Sequence, residues 1–411
     1  MKISKRLTLI RLIYLVLLFQ IPLQFSNNNL ISFVFNYIDD AIAAICMIYV
    51  VSKLIYGYKL QKFDKIILKI YSLFIVIGLL SSIISKIQVY QAIIFDFLTC
   101  MKFIFGYLAT KIYFSKYTKR FIKESLNKIT KVITVIFFVL SINDEFLNPI
   151  FPIFDYRYFG KSIELMYPHP TYLAASCIAM MLVLAAIDDK RNIKYLVLNS
   201  IIITFTFRAK AIAFVFVFWG IYLLRYVFKI TNKLPYIFSS LTLSVFVGYD
   251  QFQVYFQSTG WSARAVMLVD AISLAKTYFP FGAGFGSFGT NMSVVFYSKL
   301  YNLFGYNSIY GMSETTAAYL NDGFWQAVIG QFGFFGFLLF VLVIVVFFVN
   351  SYKENKHSAP MRFISVISLN IYLIIASIGE MAYFAPYAIT FFMILGAISA
   401  ENKIINQGKS I

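Results

Sequence analysis

Apolar runs long enough to cross a bilayer recur along this chain, separated by short clusters of lysine and arginine. About twenty residues of α-helix reach about 30 Å, the thickness of a bilayer's hydrocarbon core. Inside that core every backbone polar group must be satisfied within the chain, which leaves helices or closed barrels. Runs of this length without strict alternation predict helices, so the fold expected is an all-α integral membrane protein. Composition agrees: 60% of the residues are hydrophobic and 13% are charged, against about 45–50% and 25% in soluble domains.

The runs predict about twelve spans in one polytopic domain covering residues 1–411. In order they are Leu7–Phe25, one ending near Tyr58, Ile66–Ile84, Val89–Tyr113, Val132–Leu147 and Thr171–Ile187. Then come Tyr195–Phe207, Ala211–Val227, Leu234–Gly248, Phe324–Val349, Phe363–Ser377 and Tyr383–Ala400. With this count every heavy basic cluster falls on one side. Cytoplasmic loops carry such an excess, so both termini are expected in the cytoplasm. The net charge of +18 is therefore read as loop charge, and no nucleic-acid partner is expected. Lys2, Lys5 and Arg6 before Leu7 resemble a signal peptide, but Pro22-Leu23-Gln24-Phe25 is a poor cleavage site. The first run is expected to stay as a helix. Cys46, Cys100 and Cys177 lie within apolar runs and read as core residues, with neither zinc spacing nor a disulfide framework.

One long interruption, residues 249–323, separates the ninth and tenth spans and is expected outside the cell membrane, facing the periplasm. A segment of that length among short turns is a natural carrier of function. Several basic residues also fall on this outer side: Arg157, Lys161, Arg208, Lys210, Arg264, Lys276 and Lys299. Arg208 stands at the join of two apolar runs with almost no loop. It either snorkels to headgroups or meets an anion in a watered recess, where its fork suits phosphate. Lys210 reads as interfacial. Arg264 opens an amphipathic pattern over Ser262–Tyr278 and shares a face with Leu268, Ala271 and Ala275, so it is expected to point inward. Its partner there is either an anionic ligand or a local carboxylate.

Other polar features stay open at this level. Asp39-Asp40 are an outer N-cap if the second span starts there, and intramembrane carboxylates if it starts at Leu30; the cap is preferred. Asp96 has the same ambiguity. Phe281-Gly282-Ala283-Gly284-Phe285-Gly286 has the look of a phosphate loop but no βαβ context, so its glycines are expected to permit a tight turn. Gly330, Gly333 and Gly336 are expected to let neighbouring helices pack closely. Asp322 precedes the tenth span and can cap it, act as a base, or both. His169 sits between two prolines and reads first as structural.

Four stretches resemble the Wzy-type O-antigen polymerase and O-antigen ligase family. Arg157-Tyr158-Phe159-Gly160 with His169-Pro170-Thr171-Tyr172-Leu173-Ala174 is similar to its R-x-x-G…P-x-x-x-A stretch. Arg208 resembles its Ser-Arg turn, with Phe207 in place of serine. Arg264 followed by Pro280-Phe281-Gly282-Ala283-Gly284-Phe285-Gly286 resembles its R…P-x-x-G-x-G loop pattern. Asn321-Asp322-Gly323-Phe324 with Gly333-Phe334-Phe335-Gly336 is similar to the segment closing that loop. Ligases tend to carry a histidine where this chain has Asn321-Asp322, which favours polymerase over ligase.

The resemblance implies a fold like that of C-type glycosyltransferases and a metal-independent, inverting transfer without a cofactor. A glycan on undecaprenyl pyrophosphate would pass to the non-reducing end of a second lipid-linked repeat unit. The partners implied are that donor, that acceptor, the bilayer of the inner membrane and a chain-length regulator. Arg208, Arg264, Lys210 and Arg157 would then bind pyrophosphate. Asp322 or Glu314 would serve as base, with His169 third, and Trp261, Tyr310 and Trp325 are either sugar platforms or interface anchors. The alternatives are a ligase of the same family or, in a different class, a lipid-linked-oligosaccharide flippase. A carrier commonly shows two similar halves, and this chain has no evident repeat.

Overall fold

The computed structural model describes residues 2–115, 121–157, 160–187, 189–227 and 262–407. The expected ninth span and the first part of the long loop, with Asp250 and Trp261, lie outside them. The chain is mostly helical. The helices are α1 (Lys2–Gln24), α2 (Asn29–Asn36), α3 (Ile38–Ile55), α4 (Lys62–Ser85), α5 (Tyr90–Phe114) and α6 (Phe121–Phe146). They continue with α7 (Pro170–Ala186), α8 (Ile193–Phe205), α9 (Ala209–Tyr222), α10 (Ala263–Thr277), α11 (Asn291–Val295) and α12 (Lys299–Leu303). The last three are α13 (Phe324–Asn355), α14 (Pro360–Ala376) and α15 (Ala388–Gln407).

Among the described residues six helices are long and apolar enough to cross a membrane: Leu7–Gln24, Lys62–Ser85, Tyr90–Phe114, Ser125–Phe146, Ala209–Tyr226 and Phe324–Asn355. This is a membrane protein. The expectation of helix alone needs one correction. Strands β1 (Ile153–Arg157) and β2 (Gly160–Ile163) pair antiparallel, with Asp155 opposite Ser162. Aromatic and branched residues in Ile153-Phe154-Asp155-Tyr156 suit a pleated surface, and the segment is too short for a helix.

The sixth of these helices is not straight. Gly333 has φ 65 and ψ −170, outside any helical conformation. Phe324 and Phe340 are sixteen residues apart, about 24 Å along a straight helix. Their rings lie 5.1 Å apart, and those of Trp325 and Phe337 5.5 Å apart. The chain therefore folds back at Gly333. Residues 324–332 form a short re-entrant limb beside residues 334–355, which remain long enough to span.

The glycine-rich segment holds this bend. Ala283 and Gly284 donate to the carbonyls of Gly330 and Gln331 at 2.9 and 2.8 Å. Phe285 N–H donates to Ser82 Oγ at 2.8 Å, and Gly286 N–H to Asp96 Oδ2 at 2.8 Å. Side chains cannot intrude here: a Cβ on Gly282 would lie 2.3 Å from the Gly333 nitrogen. The glycines do give a tight turn, and their partners are the end of α4, the first turns of α5 and the bend of α13. Gly333 meets the backbone of Pro280 to Gly282, a loop where a packed helix was expected.

Some helices begin inside the bundle. Ile389, at the start of α15, packs on Gly106 of α5. Gly106 is on the order of 20 Å along α5 from its Tyr90 end. The connection between α14 and α15 dips to the same depth, with Tyr383 5.2 Å from Phe103 and 5.4 Å from Phe324. Asp39 and Asp40 are neither cap nor solvent-facing. The α3 cap position is Tyr37, and both carboxylates are buried against Lys102 of α5, at 2.7 and 2.8 Å. A buried lysine needs such partners to keep its charge. At the opposite end, Lys111 joins Asp64 and Glu354 at 2.8 and 2.5 Å, tying α5 to α4 and α13.

Candidate functional site

The recess formed by these sunken helix starts collects charge. Arg264 occupies the first turn of α10, which Ser262 caps by accepting from Ala265 N–H at 3.2 Å. Met267, Ala271, Leu274 and Ala275 are buried. The 3.6-residue period therefore turns Arg264 inward as expected. Its Nη2 lies 3.0 Å from Asp322 Oδ2 and donates to the Gly379 carbonyl at 3.4 Å. Gln326 of the re-entrant limb donates to the Arg264 carbonyl at 3.2 Å. Asp322 does not cap α13, whose cap position is Gly323. Burial pushes its carboxyl above the usual range, while Arg264 and Lys210 pull the other way and Glu380 adds to the rise.

Lys210 stands in the first turn of α9, and its Nζ is 2.5 Å from Glu380 Oε2 in the α14–α15 connection. Arg208 precedes α9 and is 7% exposed, so it is no snorkelling residue. Its Nη2 lies 3.3 Å from both Asp155 Oδ1 and Ser162 Oγ, and its guanidinium stacks 4.9 Å from the Phe154 ring. The β-hairpin thus brings Asp155 and Ser162 to Arg208. Arg157 also holds Asp155, at 2.7 Å. Burial raises Asp155, but the hydrogen bond from Arg157 and the charge of Arg208 outweigh it and hold the carboxyl below its usual range. Glu164 lies near Arg208 and is pushed up by burial.

His169 accepts from Thr171 N–H through Nδ1 at 3.1 Å, capping α7. This places its proton on Nε2. Burial, then Arg208 and Lys210, lower it to about 4, so the ring is neutral at ordinary pH. Its structural role is evident, and as a base it is poorly disposed. Glu314 is exposed in the turn before Asp322, with Tyr297 as its electrostatic neighbour; it does not join the cluster. Tyr310 is 85% exposed, and Trp325 packs on the core against Phe324 and Phe337.

Thus Arg208, Lys210, Arg264, Arg157, His169 and Asp322 come together from segments far apart in sequence, and Glu314 stays apart. Sequence reasoning missed Asp155, Glu164 and Glu380. Glu380 carried a usable signal, as a carboxylate within an otherwise apolar stretch. The recess sets Arg157, Arg208, Lys210 and Arg264 against Asp155, Glu164, Asp322 and Glu380. It can bind a multivalent anion by exchanging partners, and a carboxylate released in that exchange is a candidate base. No protein-family model matches the sequence, and no curated protein matches it.

Proposed function

We propose that the chain is a membrane-embedded, metal-independent glycosyltransferase of the polysaccharide-polymerase type, as the O-antigen polymerase resemblance implies. It would transfer a glycan from undecaprenyl pyrophosphate to the non-reducing end of another lipid-linked repeat unit. The observation that carries this reading is the convergence of Arg264, Lys210 and Arg208 with Asp322 and Glu380 in one recess. The basic clusters at the opposite end support a cytoplasmic placement of that end under the positive-inside rule, with the recess on the periplasmic side of the inner membrane.

The chemistry follows from the pairs. Donor pyrophosphate takes the guanidinium of Arg264 from Asp322, and Lys210 turns to it from Glu380. Asp322 loses its counter-charge, so its affinity for a proton rises. It then takes the proton from the acceptor hydroxyl as that oxygen bonds to the anomeric carbon. The bond from the anomeric carbon to pyrophosphate breaks, and the lipid pyrophosphate leaves with the electron pair. Arg264 and Arg208 stabilise the charge growing on it. Attack from the opposite face inverts the anomeric centre.

The test is a glycan gel of a deletion strain complemented with variants of matched membrane abundance. Arg264→Ala should lower polymer by at least about 100-fold, the scale of one lost charge-stabilising donor. Arg264→Lys should restore little, because an ammonium lacks the bidentate fork. Asp322→Asn should also abolish the ladder and leave single repeat units on the surface glycan. Absence of even single units would point to a flippase, and polymer stranded on its lipid carrier to a ligase. A full ladder from Arg264→Ala refutes the assignment.

A further inference from the structure

At the end opposite the recess, α6 and α8 enclose an open cavity of about 520 Å³, a size typical of ligand sites. Four cations reach it: Lys131 from α6, and Lys190, Arg191 and Lys194 around the start of α8. One wall is Tyr195, with the ammonium groups of Lys131 and Lys194 each 5.2 Å from its ring centroid. Among the described residues the lining carboxylate is Asp189, engaged with Arg191, whose Nη2 lies 3.0 Å away. The turn is fixed from below, since the buried Asn192 side chain donates to the Leu184 carbonyl at 2.9 Å. Asn127 completes the lining, and its carboxamide oxygen is shielded from solvent with no hydrogen-bond partner. A buried amide left in this state calls for a ligand or water.

We propose that this cavity binds the phosphate headgroup of an acidic glycerophospholipid. The cluster of Lys131, Lys190, Arg191 and Lys194 suits a phosphate, and the Asn127 amide, rotated, presents two N–H donors to it. A lipid, rather than a soluble phosphate, is indicated by the surface below. Val132, Val135, Ile136 and Val139 recur at helical spacing on α6 and are 51%, 43%, 49% and 60% exposed. They form a lipid-facing stripe that starts beside Lys131 and runs into the span, where an acyl chain would lie. Basic pockets between helices at a membrane surface are suited to such headgroups.

The experiment uses the full chain in neutral detergent and measures binding of short-chain phosphatidylglycerol, phosphatidylcholine of equal chain length, inorganic phosphate and glycerol phosphate. Phosphatidylglycerol should bind at least about tenfold tighter than each of the others, on the footing that one cation near an anionic headgroup is worth a factor of about five. On the same footing Lys131→Gln with Lys194→Gln should weaken it about 30-fold. Asp189→Asn keeps a side-chain oxygen to cap the turn and frees Arg191, so it should tighten binding. That opposite sign separates ligand recognition from general damage. Equal binding of inorganic phosphate overturns the lipid assignment. An unchanged affinity in the double variant, or weaker binding in Asp189→Asn, overturns the site.

Discussion

Replacing Gly333 by alanine tests the fold-back of α13 directly. At φ 65 and ψ −170 the residue occupies a region that is costly for any side chain, by about 1–3 kcal/mol. The added Cβ would also lie 2.7 Å from the Pro280 carbonyl oxygen, 2.8 Å from the Gly282 nitrogen and 3.1 Å from the Phe281 carbonyl carbon. All three are backbone atoms, so a rotamer change cannot relieve the clash. Overpacking of this kind adds about 1–3 kcal/mol. The combined loss is about 2–6 kcal/mol, or on the order of 10 °C in the thermal midpoint. Heating in detergent at one fixed rate, followed by size-exclusion chromatography, measures it. Gly220 is the control, because a Cβ there meets nothing within 4 Å. Gly220→Ala should be neutral or stabilising by up to about 1 kcal/mol through helix propensity. Since Asp322 leads into the re-entrant limb, Gly333→Ala should also lose polymer. Equal midpoints for wild type and Gly333→Ala would refute the bend and the placement of Asp322 that depends on it.

Lys102→Met should destabilise by about 3–5 kcal/mol, because it strands two buried carboxylates. Adding Asp39→Asn and Asp40→Asn should recover most of that loss, and a triple variant no more stable than the single one would contradict the account. His169 provides a pH prediction. Its folded value of about 4 lies below the ordinary 6.5, so the unfolded chain takes up the proton first. Its contribution is present above about pH 6.5 and is lost as pH falls toward 4. His169→Asn retains an acceptor for Thr171 N–H and should flatten that part of the melting profile, which a series of thermal midpoints from pH 7 to 4 would reveal.

Some helix boundaries were legible because desolvation imposes length and polarity on a span, whereas the expected run Tyr383–Ala400 becomes helical only at Ala388. The expected run Phe363–Ser377 appears as Pro360–Ala376, and Thr171–Ile187 as Pro170–Ala186. The inward turn of Arg264 was also legible, since one helical period decides which face a residue takes. The bend at Gly333 was not. Apolar residues continue on both sides of it, and hydropathy carries no record of a backbone dihedral. Only the partner loop, fifty residues earlier in the chain, makes that glycine necessary. The ion pairs were hidden for a related reason. Arg264 and Asp322 are 58 residues apart, and Lys210 finds Glu380 across 170 (380 minus 210). Such pairings arise from tertiary packing and leave no local periodicity.

The even match of basic and acidic groups in the recess has a consequence for how it can be reached. A surplus of one sign would project a field into solution and draw in free ions of the other sign. Among the described residues the two signs are evenly matched here, so on the proposed function dissolved phosphates and nucleotides would gain little rate advantage near it. A molecule confined to the bilayer needs none, because anchoring already supplies a high local concentration at the depth of the helix starts. On the proposed function, charge balance would act as a filter on the route of arrival, leaving soluble anions unassisted and favouring what diffuses in sideways.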